Sequence, residues 1–126
     1  MNLVEQGMYE HHLQRWLQTF PLNQFHFVDS NKLVHQPWAV MEDVEQFLGL
    51  EPNVTREDFQ FVEEKGFYCP RNRVTGEPEC LSKGKGWPHP EMPGDLRAQL
   101  LAFYEPLNKR FFQLIGQDFN WSTPKK

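Results

Sequence analysis

The 126-residue sequence has no long hydrophobic run, only two cysteines and no excess of basic charge. Its apolar runs are a few residues long, so we expect no transmembrane segment. The first residues combine neither a basic stretch nor a long apolar stretch, so we expect no signal peptide there. Acidic residues outnumber basic ones by 17 to 13, which excludes a uniformly basic nucleic-acid coat. We therefore expect no nucleic-acid partner.

Aromatic residues, in contrast, are plentiful. Eleven Phe, four Trp and three Tyr are too many for a disordered acidic chain. The length allows one ordinary domain and argues against two. A globular chain is therefore expected.

Residues 65–89 form a basic island in this acidic chain. They hold five Lys or Arg and two Glu, a local net charge of +3 in a chain whose net charge is −4. The stretch from Gly66 to Gly94 also holds five of the eight glycines and five of the ten prolines. Such a stretch predicts no helix and few strand hydrogen bonds. Long loops of this kind are usually functional or disordered, and the charge indicates an anion site.

Hydrophobic periodicity predicts helices on both sides of this loop. An apolar stripe from Tyr9 to Phe20 indicates a first helix, and a second should begin near Pro37. A last helical region begins at Gly94, and Pro106 is expected to divide it into two helices.

Two short segments, 25–28 and 59–62, have the alternating or aromatic pattern of strands. One or two strands are too few for a sheet of their own. The order of elements therefore suggests an α/β class, in a domain that borrows strands or of which part is absent.

Cys69 and Cys80 enclose ten residues, and three interpretations of the pair remain open. A disulfide would close a loop worth roughly 3 kcal/mol and would imply an oxidising compartment. Two free thiols are the second possibility, and zinc is the third, although further ligands at metal spacing are missing. Sequons at Asn53 and Asn120 fit a secretory route.

Within the basic island, residues 83–86 alternate lysine and glycine and are the best candidate for anion binding. Glycines let backbone amides approach an oxyanion, but a solvated turn is an equally simple interpretation. Tyr68 and Trp87 could offer flat faces to a base or a sugar, or could simply pack. His89, between two prolines, is either a well-positioned donor or an ordinary surface histidine. No local acid–base or nucleophile constellation is present.

Several short motifs are spread over nearly the whole chain, from about Met8 to Trp121. They occupy residues 9–21, 44–50, 65–69, 80–81, 85–90, 103–108 and 116–121. Together they resemble the end of the heparan sulfate glucosamine 3-O-sulfotransferases. The cysteine loop followed by Lys85, Gly86, His89 and Pro90 is the most specific of them.

The resemblance implies the C-terminal part of a P-loop-like sulfotransferase fold, a parallel sheet flanked by helices. This part would be mostly helical, with a disulfide-closed Gly/Pro-rich loop, and residues 1–126 would be a partial domain. The implied reaction transfers a sulfuryl group from 3′-phosphoadenosine 5′-phosphosulfate to the glucosamine 3-hydroxyl of heparan sulfate. The implied setting is the Golgi lumen, and no metal is implied.

The resemblance also implies a donor-binding loop at about 65–94 and a bond between Cys69 and Cys80. The residues it assigns to the donor nucleotide are Tyr68, Lys85, Gly86, Trp87, Pro88 and His89. The family pattern has Arg where this chain has Trp87, and tryptophan cannot replace a guanidinium on phosphate. The phosphosulfate loop and the catalytic base of the family precede the matched region. No catalytic residue is therefore assigned, and the isolated chain is expected to be inactive.

Two other functions remain as alternatives. One is a non-catalytic glycan- or nucleotide-binding module derived from a sulfotransferase. The other is an all-helical interaction domain with a disulfide-stapled loop, which the absence of a strand at 25–28 would favour.

Overall fold

The computed structural model describes residues 2–81 and 90–121. These residues form two compact units: residues 2–25 with 90–121, here called the terminal unit, and residues 26–81, here called the central unit. The helices are α1 (Leu3–Gln6), α2 (Tyr9–Leu17), α3 (Ser30–His35), α4 (Pro37–Phe47) and α5 (Gly94–Ile115). The strands are β1 (Phe59–Val62) and β2 (Phe67–Pro70), and short 3₁₀ helices span Leu22–Gln24 and Arg56–Asp58. None of the described helices is long and apolar enough to cross a membrane.

The terminal unit is built on the packing of α2 against α5. Leu13 of α2 and Phe111 of α5 are both buried, as is Phe119 beyond the end of α5. The stripe from Tyr9 to Phe20 predicted this helix, and α2 begins at Tyr9 as expected. At the edge of the contact, Arg110 Nε donates to Glu10 Oε2 over 2.8 Å.

Helix α1 is attached to α5 through one tyrosine. The Tyr104 hydroxyl donates to the Val4 carbonyl oxygen over 2.8 Å. The same ring lies so close to Gly7 that a Cβ at that position would be 2.7 Å from Tyr104 Oη. A glycine is therefore required at residue 7 for this close approach.

The predicted break at Pro106 is wrong, because α5 is continuous from Gly94 to Ile115 with Pro106 inside it. Proline removes one backbone hydrogen bond from a helix. Tyr104 and Phe111, on either side of it, both contact the N-terminal residues of the same unit. We infer that these contacts offset the cost of the proline. Gly116, at φ +69°, ends the helix as a left-handed cap.

Helix α4 begins at Pro37, as predicted, and Gly49 follows it with a φ of +67°. The buried Glu45 of α4 accepts hydrogen bonds from the backbone amides of Asn53 and Val54. This carboxylate thus fixes the chain between α4 and β1. Helices α3 and α4 are joined by an ion pair in which Lys32 Nζ of α3 lies 2.7 Å from an Asp43 carboxylate oxygen of α4.

Strands β1 and β2 form a two-stranded antiparallel sheet in which Phe61 is opposite Tyr68. The strand predicted at 59–62 is confirmed, whereas residues 25–28 do not form a strand. Alternation alone did not specify a neighbouring strand for residues 25–28. β2 lies inside the stretch predicted as a loop, because Gly66, at φ +71°, turns the chain back onto β1. The absence of a strand at 25–28 was the observation that would favour an all-helical domain, but the β1–β2 sheet excludes such a domain. Helices and a sheet together support the α/β class.

Candidate functional site

One face of the hairpin carries an aromatic cluster to which α4 contributes. Phe59 and Phe61 alternate onto the same side of β1, and Tyr68 lies across from Phe61 with ring centroids 5.2 Å apart. The Trp38 ring of α4 meets Tyr68 edge-on at 5.0 Å. Packing against Trp38 and Phe61 fixes the orientation of the Tyr68 ring.

A cavity of about 680 Å³ opens beside this aromatic face. Its lining combines Phe61 and Tyr68 with two arginines, Arg56 and Arg71, and one acidic residue, Glu57. Flat rings beside an excess of positive charge suit an anion that carries an aromatic or sugar ring. The guanidinium of Arg56 is itself held over the Trp38 ring, 5.2 Å from its centroid.

Cys69 and Cys80 form a disulfide with a Cα–Cα distance of 5.0 Å. This confirms one of the three interpretations of the pair and leaves neither sulfur available as a metal ligand. Cys69 is almost fully buried on β2, so the bond joins the loop end to the hairpin. Among the described residues, no group of three or more His, Cys, Asp or Glu could hold a metal ion.

The loop inside the disulfide is ordered by its own hydrogen bonds. Asn72 Oδ1 accepts from the backbone amides of Val74 and Thr75, at 2.8 and 3.1 Å. Gly76, at φ +76°, closes the turn by donating its amide to the Asn72 carbonyl. An isolated antiparallel bridge between Arg71 and Pro78 pairs the two sides of this loop with each other.

Arg73 ties the disulfide loop to the segment that precedes β1. Its Nε donates to Asp58 Oδ1 over 3.0 Å, and its Nη2 donates to the Asn53 carbonyl oxygen over 3.1 Å. Asn53 Oδ1 lies 3.5 Å from Nη1 of the same guanidinium. We call Arg73, Asp58 and Asn53 the Arg73 clamp. It holds the first half of the disulfide loop against the segment that precedes β1.

The carboxylate in this clamp has a pKa below its ordinary value of 3.8. The largest cause is the hydrogen bond that the Thr55 backbone amide donates to Asp58, and the second is the hydrogen bond from Arg73. Both partners favour the charged form of the carboxyl. The Asp58 carboxylate of the clamp therefore keeps its negative charge at mildly acidic pH.

Of the residues assigned to the donor by resemblance, Tyr68 lies on β2 within the aromatic cluster. Lys85, Gly86, Trp87, Pro88 and His89 lie outside the described residues. Asn53 is exposed, and its side-chain oxygen is in the Arg73 clamp.

Sequence reasoning missed the residues that surround Tyr68. Arg73 was recognised as part of the basic island, but its partner Asp58, 15 residues earlier in the chain, was not predicted. Trp38 and Arg56 carried no motif at all. Only the hairpin register and the position of α4 bring these side chains to Tyr68.

Comparison with known proteins gives two findings. A family model described as "Sulfotransferase domain" matches residues 2–112. Among curated proteins, heparan sulfate glucosamine 3-O-sulfotransferase 6 of Mus musculus is 44% identical over 119 residues, which is 94% of this chain and 35% of the relative. The Homo sapiens protein of the same name is 45% identical over the same shares.

A third relative, heparan sulfate glucosamine 3-O-sulfotransferase 3B1 of Mus musculus, is 40% identical over 94% of this chain and 30% of the relative. The chain thus spans about a third of the length of the curated relatives it matches. The family model, in contrast, covers most of the chain. The chain belongs to the sulfotransferase domain family.

Proposed function

We propose that this chain forms the C-terminal part of a heparan sulfate glucosamine 3-O-sulfotransferase. The observation that carries this proposal is the 44–45% identity to proteins of that name over 94% of the chain. In the complete domain, a parallel sheet of the P-loop type would lie between helices, and residues 1–126 would be one portion of it. The described hairpin and helices are compatible with such a portion.

The proposed reaction moves a sulfuryl group from 3′-phosphoadenosine 5′-phosphosulfate to the 3-hydroxyl of a glucosamine. The hydroxyl oxygen forms a bond to sulfur, and the bond between sulfur and the phosphate oxygen breaks to release 3′-phosphoadenosine 5′-phosphate. A carboxylate base outside this chain would accept the hydroxyl proton. No catalytic residue is assigned to the chain itself, and no metal is needed for this step.

The contribution of this chain would be one side of the donor pocket. Tyr68 would offer its ring to the nucleotide, with Lys85, Gly86, Trp87, Pro88 and His89 following after the disulfide. The cavity beside Tyr68, with Arg56 and Arg71 in its lining, supports this role because the donor carries several negative charges. The Cys69–Cys80 bond would keep the loop entrance in place.

Heparan sulfate would be the acceptor and partner, and the Golgi lumen the location. A disulfide is compatible with an oxidising compartment. We also propose a glycan on Asn53, which is exposed and begins an Asn-Val-Thr sequon. A glycan attaches to the amide nitrogen, so the Asn53 oxygen could still accept from Arg73.

The decisive experiment is a chimera in which this chain replaces the matched 119 residues of the mouse 3-O-sulfotransferase 6. Transfer of labelled sulfuryl groups to heparan sulfate is measured for the chimera and for the isolated chain. We expect activity from the chimera and none from the isolated chain. A folded chimera without activity would refute the proposed reaction. If the isolated chain then still bound heparan sulfate or the donor nucleotide, the non-catalytic binding module would be favoured.

Tyr68→Ala in the chimera tests the donor pocket. Losing one aromatic stacking partner of a base costs about 1–3 kcal/mol, so KM for the donor should rise by about five- to 150-fold. Phe103→Ala, which removes a half-exposed aromatic of the terminal unit, is the matched control and should leave that KM unchanged. Equal KM values for the two variants would remove Tyr68 from the donor pocket.

A further inference from the structure

Helix α2 has apolar side chains in two directions, and only one direction is covered. Leu13 is buried against α5 with 6% of its surface exposed. Trp16, three residues later on the helix, is 59% exposed, and Phe20 beyond the helix end is 41% exposed. The two rings lie against each other with centroids 5.9 Å apart. We call Trp16, Phe20 and the adjacent Arg15 the Trp16 face.

The Trp16 face forms the wall of a shallow, open depression. A cavity of about 460 Å³ is lined by the two aromatic rings together with His12, Arg15 and Thr19. Single exposed hydrophobic residues are common, but an aromatic pair with a polar rim is typical of an interaction site. The surface therefore fits a partner that places apolar side chains over Trp16 and Phe20.

The rim of this depression carries an uncompensated charge. Within residues 2–81 and 90–121, the guanidinium of Arg15 has no ion pair or hydrogen bond, whereas the guanidinium of Arg110 in the same unit is paired with Glu10. A guanidinium binds carboxylates with two parallel hydrogen bonds. A partner with a carboxylate beside its apolar centre would match this surface in both polarity and charge.

The comparison with relatives indicates which polypeptide covers the Trp16 face. The chain spans about a third of each matched relative, so about two thirds of each relative is additional polypeptide. A domain distributes one hydrophobic core over all its parts. A part taken by itself is then expected to expose core aromatics that the remainder covers, as the Trp16 face does.

We propose that the Trp16 face is the docking surface for the remaining part of a sulfotransferase domain. This inference rests on the proposed function, since it requires the chain to be one portion of such a domain. The rings of Trp16 and Phe20 enter the core of the complete domain, and Arg15 pairs with a carboxylate at its edge.

The test compares Trp16→Ala in two contexts, the isolated chain and the chimera described above. In the chimera, loss of a buried indole should lower the melting temperature by about 5–15 °C. In the isolated chain the same change should leave the melting temperature nearly unchanged, because Trp16 is exposed there. Val74→Ala is the matched control: Val74 is 94% exposed on the disulfide loop, and its loss should change neither protein.

Three results would overturn the proposal. Equal destabilisation of both proteins would mean that Trp16 packs within the chain itself, and no destabilisation of either would mean that nothing covers it. A chimera without cooperative unfolding would mean that the remainder does not dock. Sulfuryl transfer is a separate readout: a folded, inactive chimera that Trp16→Ala destabilises would refute the proposed reaction and leave the docking surface supported.

Discussion

The terminal and central units achieve order by different means. In the terminal unit, five aromatic side chains meet where the start of α2 packs against the end of α5. They are Tyr9, Phe111, Phe112, Phe119 and Trp121. In the central unit, a hairpin of two four-residue strands is held by the Cys69–Cys80 bond and by the Arg73 clamp.

This difference follows from composition. Helices α2 and α5 can gather large side chains onto one side, so apolar burial supplies their stability. The segment 66–81 is rich in glycine, proline and charge and has few side chains to bury. A covalent cross-link and charged hydrogen bonds stabilise it instead. Substitutions in the two units should therefore differ in how much stability they cost. The cost should also depend on solvent conditions in different ways.

The largest effect is expected in the terminal unit from Phe111→Ala. Phe111 is 6% exposed and lies 5.8 Å from Tyr9 and 5.9 Å from Trp121 between ring centroids. Its truncation should lower the free energy of unfolding by about 3–5 kcal/mol, measured by urea denaturation. Phe103→Ala on the same helix, where the side chain is 46% exposed, should cost about 1 kcal/mol or less. Equal losses would contradict an aromatic core at Phe111.

The second-largest loss of stability is expected in the central unit. Replacing Cys69 and Cys80 together by alanine should destabilise the hairpin by about 3 kcal/mol. Hydrogen exchange should become faster for the amides of β1 and β2 and stay the same for those of α5. Reduction of the unmodified protein should give the same pattern. Equal acceleration in α5 would show that the two units do not differ in the way described.

The smallest effect is electrostatic and depends on pH. The folded-state pKa of Asp58 is lowered from 3.8, so its contribution to stability is present above that pH and is lost as pH falls through the folded-state pKa. Thermal melts of the protein and of Asp58→Asn should therefore differ at neutral pH and converge in acid below pH 3.8. Glu63→Gln on the same hairpin controls for the change in net charge. A constant difference down to low pH would exclude ionised Asp58 as the stabilising group.

Local signals in the sequence were sufficient for several elements. Pro37 indicated the beginning of α4, and the aromatic pattern at 59–62 indicated β1. The predictions at Pro106 and at 25–28 were wrong for a common reason. A helix can retain a proline when distant side chains pack on both sides of it, and a strand needs a partner that its own residues do not specify. The continuity of a helix through a proline and the formation of a strand both depend on contacts between residues far apart in the sequence.

At the candidate site, too, local sequence signals determined some features and contacts distant in the sequence determined others. The sequence by itself determined the basic charge and the Gly/Pro content of the loop, the disulfide as one of three possibilities, and the resemblance to sulfotransferases. These properties belong to single residues and short motifs. The tertiary structure alone decided that Trp38 and Arg56 gather around Tyr68, that Arg73 holds Asp58, and that Trp16 is uncovered. Such juxtapositions arise because hairpin register and helix packing bring together residues that no local pattern relates.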